Sequence, residues 1–186
     1  MRMNLEQEIY QTPERLSDRE LIDIARNVQS KIPSDWKRNL SLRIRENMRW
    51  CGYDVPDSIY EPSLIFTVED LPGSIVKGKN GQISFNGYLM QVDKYGRVEI
   101  NRKLGYMTRD QLEENLGPHI LHEGGHKAAK AYGADFRQQQ KDPGFEGMIH
   151  SQVADTTEKY KGPEYAIKVR QYSRYLNPKM DALLYH

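Results

Sequence analysis

Two stripes of apolar residues with helical spacing lie in the N-terminal third of the chain. The first follows a capping box that starts at Ser17 and consists of Leu21, Ile24, Ala25 and Val28. The second repeats at i+4 steps after an expected N-cap at Ser34 and consists of Trp36, Leu40, Ile44 and Met48. Residues at these spacings share one side of an α-helix. The sequence therefore predicts two amphipathic helices, the second ending near Gly52.

Short apolar runs separated by turn residues replace this pattern in the middle of the chain. Asn80-Gly81 and Asn86-Gly87 are turn signals. The runs predicted to form strands are 64–68, 83–85, 88–92 and 97–101. They predict a small, mostly antiparallel sheet.

Helical signals return in the last third. A helix is expected from Pro118 to Gly133, after a short helical segment around 108–116, and others from Asp142-Pro143 and Pro163. Helices, then strands, then helices indicate the α+β class. We expect one domain over 1–186, with a helical part over 1–52 and the sheet and later helices over 63–186.

Composition and charge limit the kinds of partner and the cellular compartment that we expect. The 186 residues are 38% hydrophobic and carry a formal net charge of +1, so charge gives no argument for a nucleic-acid or membrane partner. The first residues lack the apolar stretch of a secretory signal, and the single cysteine, Cys51, cannot form an intrachain disulfide. We expect a cytoplasmic protein, or one delivered into a target cell without a classical signal peptide.

Two potential metal-binding histidines and a glutamate lie close together in the run His122-Glu123-Gly124-Gly125-His126, an H-E-x-x-H pattern. On a helix, residues i and i+4 share a face, so His122 and His126 can present both imidazoles to one ion. Zinc with three protein ligands keeps a position for water and lowers the pKa of that water to about 7. Glu123, next to this face, could take the proton from the water. Each glycine costs about 1 kcal/mol against alanine in a helix, and we expect the pair to give clearance to a neighbouring backbone.

This run resembles the active-site motif of the zincin metallopeptidases, and the resemblance extends over about residues 97–160. It implies that His122 and His126 bind one Zn²⁺ ion and that Glu123 is the general base. Zincins also hold an extended peptide at a strand edge, and the strand 97–101 is the candidate for that edge. An ordinary sheet strand is the alternative interpretation.

A third metal ligand is expected downstream of His126. The candidates are Asp135, Asp142, Glu146, His150, Asp155 and Glu158. Asp135 and Asp142 lie where helix caps are needed. The spacing of Glu146 resembles that of gluzincin peptidases, in which a glutamate on the following helix completes the site. In those enzymes a carboxylate four residues later supports a ligand histidine, whereas this chain has His150, which is therefore a supporting residue or an alternative ligand.

Residues outside the motif supply further candidates. His119 is expected to lie in the first turn of the helix or to support a ligand. An oxyanion needs a donor besides the metal, and the candidates are Tyr132, Tyr160, Tyr165 and Tyr172.

The sequence thus predicts a zinc-dependent endopeptidase that acts on a protein or peptide. One role open to such an enzyme is that of a toxin or effector domain. Two alternatives stay open. One is a zinc hydrolase of a non-peptide bond. The other is a scaffold or phage-type structural module in which H-E-x-x-H arose by chance or lost its activity.

Overall fold

The computed structural model describes residues 15–77 and 83–161. Its helices are α1 (Asp18–Lys31), α2 (Ser34–Trp50), α3 (Arg109–Ala131), α4 (Phe136–Lys141) and α5 (Pro143–Lys161). Its strands are β1 (Phe66–Glu69), β2 (Gly73–Lys77), β3 (Ile83–Gly87), β4 (Met90–Val92) and β5 (Val98–Asn101). A 3-10 turn, Arg102–Tyr106, joins β5 to the start of α3. The predicted α+β class is confirmed.

The strands form one mixed sheet and one hairpin. In the sheet β5 is central, parallel to β1 and antiparallel to β4, and the antiparallel pair β2–β3 is separate. The prediction that 97–101 forms a substrate-binding edge is therefore wrong, because both sides of β5 are paired. The free edge that faces the later helices belongs to β4.

The two N-terminal helices bury the predicted stripes. The capping box at Ser17 is present, and Leu21, Ile24 and Ala25 are fully buried. In α2 the N-cap is Pro33 rather than Ser34, which is the first helical residue and makes no side-chain cap. These helices pack against α3, which joins α1, α2, α5 and β4 into one hydrophobic core.

Helix α3 begins at Arg109, so the prediction that it starts at Pro118 is wrong. A capping box of Thr108 and Gln111 fixes the earlier start, and Pro118 lies inside the helix. Two features make the proline tolerable. Gly117 has no Cβ to clash with the proline ring, and Glu114, whose carbonyl loses its bond, is an exposed residue. The predicted end is confirmed at Gly133, whose φ of 111° suits a left-handed cap.

Several predictions fall at the margins of the described residues. The Asn80-Gly81 turn and the helix at Pro163 lie outside them. Helix α5 begins at Pro143 as predicted, and Phe145, Ile149 and Val153 bury its apolar stripe. Over 15–77 and 83–161, no helix is both long enough and apolar enough to span a bilayer.

Candidate metal centre

Helices α3 and α5 bring four of the predicted site residues together. The Nε2 atom of His122 lies 3.0 Å from Glu146 Oε1, and the Nε2 atom of His126 lies 3.1 Å from Glu146 Oε2. The two histidine Nε2 atoms are 2.9 Å apart. His150 adds a third imidazole, with its Nε2 atom 3.0 Å from Glu146 Oε1. Because i and i+4 residues share a helix face, each helix contributes one such pair.

This cluster has the chemistry of a metal site. Ligand atoms of His122, Glu146 and His150 all lie within 4.8 Å of one another. The separations of 2.9 to 3.1 Å are close to the roughly 3.3 Å between ligands that surround zinc tetrahedrally at about 2.0 Å. Imidazole and carboxylate donors suit zinc and several other transition metals. The site is therefore a candidate metal centre for an ion of unestablished identity.

The charges in the cluster also suit a cation. Burial lowers the pKa of His122 to about 3, although the adjacent Glu146 carboxylate favours its charged form. Burial opposes charge on His126 too, but the hydrogen bond with Glu146 and the charge of Glu123 raise its pKa to about 9. Burial raises the pKa of Glu146, but the facing imidazoles outweigh it and hold the pKa well below its usual range. Glu146 is thus an anion among imidazoles, and a metal ion would replace the proton on His126.

Glu123 lies beside the cluster rather than in it. Its side chain is 5% exposed and lines the same cavity as His122 and His126. Burial, together with the charge of Glu146, raises its pKa to about 7, while His126 and a hydrogen bond from the Val92 backbone N–H favour the carboxylate. A carboxylate with this pKa can take up and release a proton near neutral pH.

The cavity above the cluster has a volume of about 420 Å³. Its walls are α3 and α5 on one side and the 88–92 segment on the other, with α4 at one end. The apolar lining residues are Tyr88, Leu89, Met90, Val92, Phe136 and Pro143. A cavity of this size with convergent polar groups is typical of a ligand-binding site.

Gln139 of α4 contacts His126 on the side away from Glu146. The Oε1 atom of Gln139 lies 2.8 Å from His126 Nδ1, and its Nε2 atom donates to the carbonyls of His126 and Ala134 at 3.0 and 2.8 Å. His122 differs, because among the described residues its buried Nδ1 atom has no hydrogen-bond partner. Its ring instead packs against that of His150, with the two ring centroids 4.2 Å apart.

The two glycines of the motif admit neighbouring side chains. A Cβ atom on Gly125 would lie 2.7 Å from Cγ2 of Ile149 and 3.1 Å from Cδ1 of Ile44. A Cβ atom on Gly124 would meet only Pro62, at 3.3 Å. The expected clearance therefore exists, but the atoms it admits belong to side chains rather than to a backbone. Gly125 lets α5 pack closely enough to present Glu146 and His150.

Gly125→Ala should lower the free energy of unfolding by up to about 2 kcal/mol. Overpacking against Ile149 costs about 1–3 kcal/mol, and the gain in helix propensity of about 1 kcal/mol offsets part of it. Gly124→Ala is the matched control and should change stability by less than about 1 kcal/mol. Urea unfolding of both variants in the presence of a chelator measures the difference. Equal effects would show that contact with α5 does not require Gly125.

The remaining predicted candidates lie outside the cluster. Asp135 caps α4, and Asp142 accepts from the backbone N–H of Gly144. Asp155 faces Arg43 at 3.6 Å, and Glu158 is exposed. His119 lines the cavity, and burial lowers its pKa to about 4.

Two of the four tyrosines that were candidate oxyanion donors have other partners in the structure. Tyr132 is buried, with its hydroxyl 2.7 Å from Ser41 Oγ and 2.9 Å from the backbone nitrogen of Tyr60. Tyr160 stacks on Trp36. Tyr165 and Tyr172 lie outside the described residues. Tyr88, which the sequence did not single out, lines the cavity.

The chain was also compared with known proteins. No protein-family model matches it. No curated protein and no solved structure matches it either.

Proposed function

We propose that this protein is a zinc-dependent endopeptidase whose centre is formed by His122, His126 and Glu146. The observation that carries the proposal is the convergence of three imidazole nitrogens on the two oxygens of one carboxylate, at 3.0 to 3.1 Å. His150 supports Glu146 from Oε1 or joins the ligands. Zinc with three protein ligands supplies a Lewis acid and lowers the pKa of a bound water.

Glu123 is the proposed general base. Its carboxyl group lies in the cavity wall with a pKa of about 7, raised chiefly by burial. It would take the proton from the attacking water as the oxygen forms its bond to the substrate carbonyl. It would then give that proton to the leaving amine as the peptide bond breaks. The hydrogen bond from the Val92 N–H holds the carboxyl group at the cavity wall.

The unpaired edge of β4 is the feature that favours a peptide as the substrate. The Asp93 N–H donates to the Arg97 carbonyl, and the Asn101 N–H donates to the Leu89 carbonyl. By the alternation of an antiparallel ladder, the backbone groups of Met90 and Val92 face away from β5, toward the free edge. Because the Val92 N–H donates to Glu123, an extended peptide could pair by strand addition with the Met90 N–H and carbonyl and with the Val92 carbonyl, and lie along the cavity.

Digestion of a mixture of denatured proteins tests this function. The zinc-loaded protein should generate new N-termini in a mixture of denatured proteins, detected by N-terminal labelling and mass spectrometry. The zinc-loaded Glu123→Gln variant should generate none above background. If both proteins leave the mixture uncut, the peptidase proposal fails. Base-dependent cleavage of an ester library by the same preparation would then favour the non-peptide hydrolase, and no cleavage there would favour the structural module.

A further inference from the structure

Three hydrogen bonds fix the orientation of the side-chain amide of Gln139. Its Nε2 group has two hydrogens, and two backbone carbonyls, those of Ala134 and His126, lie within 3.0 Å of it. The reversed amide would place Oε1 against both carbonyl oxygens, which is repulsive. Gln139 is only 5% exposed, so water does not compete freely for these contacts.

This orientation decides which nitrogen of His126 keeps its proton when a cation replaces the other. With Oε1 of Gln139 facing it at 2.8 Å, Nδ1 has to be the donor. A neutral imidazole protonated on Nδ1 has its lone pair on Nε2. That Nε2 atom faces His122 and Glu146, at 2.9 and 3.1 Å. The amide therefore prepares His126 to bind a cation through Nε2.

We propose that Gln139 is a positioning residue, which holds His126 in the Nδ1–H form and so sets the affinity of the centre for its metal. The inference rests on the proposed metal centre. Partners of this kind fix the ring and the tautomer of a ligand histidine, and their loss costs about 10–100-fold in metal affinity. Because the Nδ1 atom of His122 lacks such a partner among the described residues, the affinity depends on Gln139 especially.

Two substitutions separate this role from a structural one. Gln139→Leu removes both the acceptor for His126 and the two donated hydrogen bonds. Gln139→Glu keeps an acceptor for the Nδ1–H but loses the donors to the Ala134 and His126 carbonyls. Because the second carboxylate oxygen of the glutamate would face these carbonyl oxygens, Gln139→Glu should lose at least as much stability in the metal-free state as Gln139→Leu, whereas only the leucine variant loses the support of the ligand. Gln138→Leu is the matched control, since Gln138 is an exposed residue of α4 whose amide donates a hydrogen bond to the Tyr53 hydroxyl.

The experiment measures zinc affinity by competition with a chromophoric chelator, and stability by urea unfolding without metal. Gln139→Leu should bind zinc about 10–100-fold more weakly than the wild type. Gln139→Glu should bind with an affinity close to that of the wild type, and so should Gln138→Leu. The inference is overturned if Gln139→Leu keeps wild-type affinity, or if Gln139→Glu loses as much as Gln139→Leu. If the wild type itself binds no zinc, the proposed metal centre fails, which is a separate outcome.

Discussion

Glu123→Gln should reduce turnover by the zinc-loaded protein about 10²–10⁴-fold while leaving zinc binding intact. The amide has the size of the carboxylate and keeps an oxygen to accept from the Val92 N–H, so the cavity wall is preserved. It cannot accept a proton from water. Because Glu123 lies beside the cluster formed with Glu146, zinc stoichiometry should remain at one per chain.

The measurement is kcat/KM for a cleaved peptide, with zinc quantified in the same samples. Glu114→Gln is the matched control, an exposed glutamate on the same helix, and should retain wild-type turnover. Undiminished turnover by Glu123→Gln would remove the general-base assignment. Loss of zinc from this variant would instead place Glu123 among the groups that hold the metal.

Glu146→Gln should weaken zinc binding about 100-fold or more, beyond the usual effect of a supporting residue. Its carboxylate contacts all three imidazoles of the cluster and is the one anion in direct contact with them among the described residues. Replacing it with a neutral amide removes the negative charge closest to the cation in a largely buried site. Competition with a chelator measures the loss.

Glu158→Gln is the control for that substitution, because Glu158 is an exposed glutamate on α5 outside the cluster. It should bind zinc as the wild type does. If Glu146→Gln and Glu158→Gln bind zinc equally well, Glu146 is not a ligand, and His150 with the motif histidines becomes the alternative set.

Local spacing was sufficient to predict the side chains that the structure brings together. The i and i+4 relation places His122 beside His126 and Glu146 beside His150, because it depends only on helix geometry. The Asp142-Pro143 signal located the start of α5, and with it the turn that carries Glu146. The assignment of these residues as zinc ligands remains a prediction.

The features that sequence reasoning missed depend on tertiary contacts. Helix α4 has six residues, too few for a clear apolar period, and the contact of Gln139 with His126 arises from how α4 packs. Strand pairing order is equally hidden, so the sequence leaves 97–101 as either an edge or an ordinary sheet strand, whereas β1 and β4 enclose it in the structure. Pro118 predicts a helix start, but Gly117 before it has no Cβ to clash with the proline ring, so α3 continues through both residues.

Zinc titration of the chelator-treated wild-type protein by calorimetry measures whether the folded chain holds zinc and whether it needs Glu146 to do so. We expect one zinc site per chain in the wild type and binding weakened about 100-fold or more in Glu146→Gln. Failure of the folded wild type to bind zinc, or binding that survives in Glu146→Gln with unchanged affinity, would contradict the proposed metal centre.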